Sequence, residues 1–386
     1  MLNMAAALRQ AGHEPEVFVL SSMDGQDVVF NGIRVHRVAY RRTLLDYLVL
    51  RLGRVLTWKL WPVFRDAFCA WKLARALHRR QCQMGFDVIQ SSNYGLTGWF
   101  VRKHPGQRHL VRISTSRVLY SGVDARPSLA DRITERLDVR ILQRADRAYA
   151  PSSYLANYFR NRYGLSVDVL RPPHLVASDP VETVPWALPS RFLVHFGNLG
   201  RRKGTYVLAE ALLLAWKQEP GITMVWAGRE SEPLMHRLQA RWADRAEQVT
   251  WLGPIERNSL YAVVKRADAA VLPSLVDNLP NTVIESLMLD VPVIGSKGAS
   301  IDELVEPGRN GELVPIGDAT ALSEALVRVW RREVAWLGTN FRPPVLFDAM
   351  QPAEAVRRFV ALAHATQLSG SEQEACRQAS DNSVSV

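Results

Sequence analysis

Cysteine is scarce: the 386 residues hold three, Cys69, Cys82 and Cys376. An odd number without metal-type spacing excludes a disulfide framework and reads as reduced thiols in the cytosol. Long apolar runs are missing too. No stretch approaches the roughly 18 residues of a membrane-spanning helix, so none is expected. There is no D-x-D pair and no His/Cys cluster, so no metal and no bound cofactor is expected. The N-terminus, MLNMAAALRQAGHEPEVFVL, is interrupted by Arg9, His13, Glu14 and Glu16 and reads as helix and strand, not as a signal peptide. Acid is in deficit: 38 Asp and Glu face 48 Lys and Arg, giving a net charge of +10 and a pI of about 9.8. That balance admits an anionic partner such as a nucleic acid, a membrane surface or a phosphorylated small molecule. No nucleic-acid motif accompanies it, so nucleic acid is not expected.

What is present is ordinary globular material, 47% hydrophobic and 22% charged, long enough for two or three domains. Short apolar runs alternate with helix-period segments. EVFVL (16–20), IRVHRV (33–38), FDVIQ (86–90), HLVRIS (109–114), RAYAP (147–151) and SVDVL (166–170) form a first series. RFLVHFG (191–197), ITMVWAG (222–228), VTWLG (249–253), AAVLPS (269–274), VPVIG (291–295) and GELVP (311–315) form a second. Such alternation predicts parallel sheets built from βαβ units, with both faces covered by helices. Between the series, RPPHLVASDPVETVPWALPS (171–190) carries five prolines and no helical period. The expected division is a domain over 1–172, a linker over 173–190 and a second domain over 191–346. A final helix over 347–366 packs back toward the first domain, and the polar tail 367–386 is disordered.

Residues 40–82 differ in character. Ten Lys/Arg and only two acids, Asp46 and Asp66, interleave with Trp58, Trp61 and Trp71. One reading is a helix lying at a membrane interface. The other is a helical pair covering the first sheet with its arginines on the wet side.

Two stretches carry chemistry. In VHFGNLGRRKGTYVLAEAL (194–212) a strand ends at Gly197 and a helix opens near Gly204. Helix-start amides beside Arg201, Arg202 and Lys203 attract phosphate, although alone the loop also reads as a solvated basic turn. In PSLVDNLPNTVIES (273–286) an acid, Asp277, precedes a second, Glu285, by eight residues. Thr282 and Glu285 fit a capping box, which gives Glu285 a purely structural reading. That reading leaves out Asp277, and the loop lies beyond a strand's carboxyl end, where open α/β sheets bind ligands. Glu285 is alternatively suited to accept hydrogen bonds from a ribose diol.

These segments, with VTWLGPI (249–255) and GASIDELVEPGRNGELVP (298–315), resemble the retaining glycosyltransferases of the GT-B fold, family 4 or group 1. The resemblance implies two Rossmann-like, doubly wound parallel-sheet domains facing a cleft. It implies a nucleoside-diphosphate sugar donor, a UDP-, GDP- or ADP-sugar, and a glycan or lipid-linked acceptor of the cell envelope. It implies transfer with retention, and the basic character suits a cytoplasmic site or a peripheral one on the inner face of the plasma membrane. By position, the family's acid-x7-acid pair falls on Asp277, facing the donor sugar, and Glu285, on the ribose. Lys203 matches the lysine on the diphosphate. Gly197, Asn198 and Arg202 belong to the same loop. Asn281, Thr282 and Val283 lie where helix-start amides hold a phosphate, and Gly253 lies near the nucleobase. Glu303 matches an acid in the Gly-rich segment. Ser114 stands where many members place a histidine near the sugar.

The departures are definite. Asn198 replaces a common arginine, whose charge Arg201 or Arg202 would have to supply. Asp290 replaces a common glycine, and Ser114 cannot do a histidine's proton chemistry. The chain also opens inside the family's first helix. The central first strand and its glycine loop are not seen, and the expectation is that the natural product starts upstream. The rival readings are a non-catalytic sugar-nucleotide-binding partner and, more distantly, a sugar-nucleotide epimerase.

Overall fold

The structure, a computed structural model, describes residues 2–22, 25–41, 43–174, 184–230, 234–337, 341 and 343–365. The expected disordered tail over 367–386 and residues 175–183 of the expected linker lie outside the described residues. The N-terminal half runs α1 (Leu2–Gln10), β1 (Glu16–Ser21), β2 (Asp27–Phe30), β3 (Ile33–Ala39), α2 (Leu44–Leu56), α3 (Trp61–Gln81) and β4 (Val88–Ser92). It continues through β5 (Arg108–Arg112), α4 (Arg117–Asp124), α5 (Leu129–Arg144), β6 (Arg147–Ala150), α6 (Ser153–Tyr163) and β7 (Asp168–Val169). The second half runs β8 (Leu193–Leu199), α7 (Thr205–Gln218), β9 (Met224–Glu230), α8 (Met235–Trp242), β10 (Val249–Trp251), α9 (Arg257–Lys265) and β11 (Ala270–Leu272). It closes with α10 (Asn281–Met288), β12 (Val293–Lys297), β13 (Gly311–Pro315), α11 (Ala319–Trp330) and α12 (Pro352–His364).

The second half is one parallel sheet in the order β10-β9-β8-β11-β12-β13. Its strands are apolar nearly throughout because helices bury both faces. Leu208 and Leu212 of α7 join Leu322 and Leu326 of α11 on one face, while Val263, Val283 and Ile284 cover the other. From β8 the chain steps outward to β9 and β10, then returns to β11 on the other side of β8. The crevice at such a reversal, at the carboxyl ends of β8 and β11, is where a doubly wound sheet receives ligands.

The parallel strands expected in the N-terminal half are present, divided between two sheets. This half holds a three-stranded sheet, β1-β3-β2, and a four-stranded parallel sheet, β4-β5-β6-β7. Among the described residues β1 pairs only with β3, and β4 only with β5. A difference is β2, which the sequence reading passed over. It pairs antiparallel with β3 across Asn31-Gly32, both at positive φ (50° and 74°), as an Asn-Gly hairpin turn requires.

α12 seats Val356, Phe359 and Ala363 against Met4, Leu110, Tyr149 and Leu170, so the end of the chain covers the N-terminal half. The turn before it, through Leu346 and Phe347, still packs on the second half. No helix among the described residues is long and apolar enough to cross a membrane.

Candidate functional site

Three loops meet at the switch point. The first follows β8, which runs past Gly197 (φ 114°) to Leu199 rather than ending at Gly197, and closes with Gly204 at φ 70°. A Cβ on Gly204 would stand 1.8 Å from the carbonyl oxygen of Pro273, so only glycine permits this approach to the β11 loop. The Leu275 amide donates to the Arg202 carbonyl at 2.8 Å, tying the two loops together. His195, fully buried in β8, braces the first loop from below. Its Nδ1 lies 2.7 Å from the Val271 carbonyl, which can only accept, so Nδ1 carries the proton. Nε2 therefore accepts from the Thr205 hydroxyl at 3.1 Å, and that hydroxyl accepts from the Gly200 amide at 2.9 Å. Burial holds the His195 pKa down at about 4, so the ring is neutral at physiological pH.

Lys203 and Asp277 meet in the crevice, Nζ to Oδ2, at 2.5 Å. Asp277 Oδ1 also accepts from the Asn278 amide at 2.9 Å. The pair thus places one cation and one carboxylate at the switch point. Glu285 sits one helical turn into α10, nearly buried. Desolvation raises its pKa, against the pull of the Tyr261 hydroxyl, Arg257 and Lys203. Tyr261 donates to Glu285 Oε1 at 3.1 Å, and its own pKa is pushed up to about 12, chiefly by burial. One hydrogen bond leaves a carboxylate most of its acceptor capacity.

The expected capping box is absent. α10 starts at Asn281 with Pro280 at its N-cap and no side-chain cap, which puts Thr282 inside the first turn. Glu285 is therefore not held by its own helix start and bonds Tyr261 instead. The Val283 amide donates to the Pro280 carbonyl at 3.1 Å. That narrows the expected phosphate-facing set, because only the Asn281 and Thr282 amides meet no backbone acceptor among the described residues.

Asn198 is exposed at the end of β8. Of the two arginines that were to supply its charge, Arg202 pairs with Asp124 of α4 at 2.6 Å and lies 5.9 Å from the Tyr120 ring. Arg201 is exposed and meets no carboxylate among the described residues. Gly253 ends the β10 loop at φ 68°, and its carbonyl accepts from the Gly228 amide at 2.8 Å.

The N-terminal half faces these loops with the ends of β4, β5 and β6. Ser114 accepts from the Ser92 hydroxyl at 2.9 Å, and its amide donates to Asn93 Oδ1 at 2.8 Å. Asn278 reaches across: Nδ2 donates to the Ser114 carbonyl at 3.1 Å, and Oδ1 accepts from the Ser152 hydroxyl at 2.8 Å. Tyr120, on α4, has its pKa raised chiefly by burial and further by the charge of Asp277. Glu303 crosses as well, accepting from the Ser153 and Tyr154 amides at 2.9 and 2.8 Å and pairing with Arg171.

Lys203 and Asp277 are thus brought together, with Arg202 adjoining and Gly197 close against Thr282, while Glu285 bonds Tyr261 one turn further into α10 and Ser114 joins through Asn278. Asn278, Tyr120, Tyr261, His195 and Arg171, the partner of Glu303, are not singled out by the sequence. Asn278 adjoins Asp277 and was within reach of a closer reading. Tyr120 and Arg171 carry no local signal.

Two family models match the chain: "Glycosyltransferase Family 4" over residues 1–172 and "Glycosyl transferases group 1" over residues 190–332. Among curated proteins, a phosphatidyl-myo-inositol mannosyltransferase of Mycobacterium leprae is 27% identical over 134 residues, 34% of this chain and 35% of that protein. The first curated relatives are matched over only about a third of their own length, 35% to 36%. Among solved structures, sucrose-phosphate synthase from Thermosynechococcus elongatus superposes with a TM-score of 0.67 at 19% identity, covering 98% of this chain and 92% of that one. Anabaena HepE in complex with UDP and glucose gives 0.61 at 16% identity, covering 93% of each. At these identities the structures show a shared fold, the GT-B arrangement.

Proposed function

The chain belongs to the group 1 glycosyltransferases of family 4, and we propose that it moves a sugar from a nucleoside-diphosphate sugar to a hydroxyl of a glycan or lipid-linked acceptor, with retention of configuration. The observation that carries this reading is the Lys203–Asp277 pair at the switch point of the second sheet, with Glu285 one turn into the helix that follows the same loop. Each group answers a different part of one ligand. Glu285, with Tyr261 on only one of its oxygens, takes the ribose hydroxyls. Lys203, Arg201 and the Asn281 and Thr282 amides face the diphosphate, and Asp277, displaced from Lys203, faces the sugar.

In the step itself the acceptor oxygen attacks the anomeric carbon from the face that the diphosphate leaves. The carbon–phosphate-oxygen bond breaks, and the acceptor proton passes to the departing phosphate oxygen. Lys203 and the first-turn amides stabilise the charge that develops there. Ser114, Asn278 and Tyr120 line the acceptor side and orient hydroxyls. Ser114, already bonded to Ser92, is a positioning group and not a base. The two described cysteines, Cys69 and Cys82, are free thiols, which fits a cytoplasmic site of action.

The test is thermal stabilisation of the whole chain by UDP, GDP and ADP, with wild type beside Glu285→Ala. At a nucleotide concentration near 100 times Kd, binding adds about 2.7 kcal/mol. One nucleotide is expected to stabilise wild type, and Glu285→Ala is expected to weaken that binding at least tenfold, about 1.4 kcal/mol. An equal shift in both proteins would remove Glu285 from the ribose. Nucleotide binding without transfer to any envelope glycan would favour the non-catalytic partner, a reading that the serine at position 114 supports.

A further inference from the structure

The geometry points to α2 as a membrane-docking helix that lies on an anionic lipid surface, a role outside the donor site. α2 is firmly built at its start. Thr43 and Asp46 form a capping box, with both reciprocal hydrogen bonds at 3.1 Å, and Lys72 of α3 pairs with Asp46 at 2.7 Å. Only Asp46, Leu50 and Gly53 are buried, and they share one narrow stripe. Gly53 is required there, since a Cβ would meet the Phe64 ring at 2.2 Å.

At about 100° per residue, Leu44, Val55, Leu48, Leu52, Leu45 and Leu56 fall in one arc of about 120° away from that stripe. All six lie between 43% and 79% exposed. A contiguous apolar arc of this kind on a helix otherwise well anchored is what an interaction surface looks like.

The surroundings select the partner. Arg51 borders the arc and Arg54 lies further round on the same side, and neither meets a carboxylate among the described residues. Just beyond the helix stands Trp58, 72% exposed, with Lys59 at 5.1 Å from its ring. A cavity of about 680 Å³ opens beside the arc, between α2, α3 and the β1–β3 sheet, with Leu45 and Trp71 on its wall. Arg75 and Arg79 line it, with no carboxylate partner among the described residues, while the two acids of the lining are engaged, Asp46 by Lys72 and Asp27 by His36. Apolar side chains ringed by cations and interfacial tryptophans match a bilayer with anionic headgroups. A second copy of the chain would instead bring like charge against Arg51, Arg54 and Lys59. The arc enters the acyl boundary, and the cavity with Arg75 and Arg79 receives a headgroup phosphate.

The test is co-sedimentation of the whole chain with phosphatidylcholine vesicles and with vesicles that also contain phosphatidylglycerol. Three proteins are compared: wild type, Leu48→Asp with Leu52→Asp, and Arg75→Glu with Arg79→Glu. Wild type is expected to pellet with the anionic vesicles only. Each double variant is expected to lower the bound fraction by about tenfold or more. Both are expected to keep the wild-type nucleotide-induced thermal shift, which shows that they fold and separates this proposal from the donor-site reading. Wild type remaining in the supernatant, or binding untouched by the Leu48/Leu52 change, would overturn the docking helix. Binding untouched by the Arg75/Arg79 change would overturn the headgroup cavity. Concentration-dependent self-association that the leucine variants abolish, with no vesicle binding, would assign the arc to a second copy instead.

Discussion

Replacing Glu303 by alanine tests how the two halves are held together. Its carboxylate closes the first turn of α6 through the Ser153 and Tyr154 amides and pairs with Arg171. Both partners are largely withdrawn from water, with side chains 14% and 8% exposed, so screening does little to weaken the pair. Loss of the carboxylate removes two charge-assisted hydrogen bonds and a favourable charge at a helix N-terminus. It also leaves the Arg171 guanidinium with little beyond the Pro151 carbonyl at 2.6 Å. Removing one member of a buried pair costs about 3–5 kcal/mol. Arg171→Met is the milder change, about 1–2 kcal/mol, because Glu303 keeps its two amides.

The expected order is therefore Glu303→Ala, then Arg171→Met, then wild type, in the midpoint of chemical denaturation. Because Glu303 and α6 belong to different halves, part of the loss should appear as cleft opening, a rise in the radius of gyration by small-angle X-ray scattering. A cost below about 1 kcal/mol for Glu303→Ala, with unchanged scattering, would refute the latch.

Three further outcomes follow from a buried histidine and from two left-handed glycines. His195 and His109 are each held at about 4, below the ordinary 6.5, mainly by burial. A depressed histidine contributes stability that is complete above about pH 6.5 and is lost as pH falls toward 4, roughly 3 kcal/mol each. Asp138, Asp168 and Glu285, raised by burial, act in the opposite sense. The His195 share is therefore read as the difference between wild type and His195→Gln in denaturation midpoints at neutral pH and near pH 4.5; identical pH dependence would refute it. Gly204→Ala should cost about 3 kcal/mol or more, from its positive φ and its clash with Pro273, and should weaken nucleotide binding. Gly253→Ala has a similar φ, 68°, but open space around it, and should cost only about 1 kcal/mol in the same melt.

What the sequence makes legible is what is local. The β8–α7 loop, the Asp277–Glu285 spacing and the alternation of the second half are written in adjacent residues, and the structure carries them. Asp290 is a related case: it holds the left-handed turn before β12 at φ 59°, a conformation that aspartate tolerates. Local signals also mislead. The T-x-x-E pattern at 282–285 would cap a helix starting after Thr282, but Pro280 takes the N-cap and the box has no helix end to serve. The Asn31-Gly32 hairpin was available as a dipeptide, yet β2 is exposed at all four positions and shows no core-facing alternation. The cleft's cross-connections were out of reach in principle, since Asn278 meets Ser114 across 164 residues and Glu303 meets Arg171 across 132.

Those cross-connections bear on how the site works. Asn278, Arg202 and Glu303 each bond the N-terminal half, and each projects from a loop at the carboxyl end of a strand in the second half. Arg202 adjoins Lys203, and Asn278 adjoins Asp277. A diphosphate that draws Lys203 away from Asp277 therefore acts on the same two loops that hold the halves together. Nucleotide affinity and closure are then linked, and each must change the other by the same factor. Weakening the latch at Glu303 should lower nucleotide affinity although Glu303 touches neither Lys203 nor Glu285. If Glu303→Ala leaves the nucleotide-induced thermal shift unchanged while scattering reports an open cleft, the donor groups work from the second half alone and the linkage is absent.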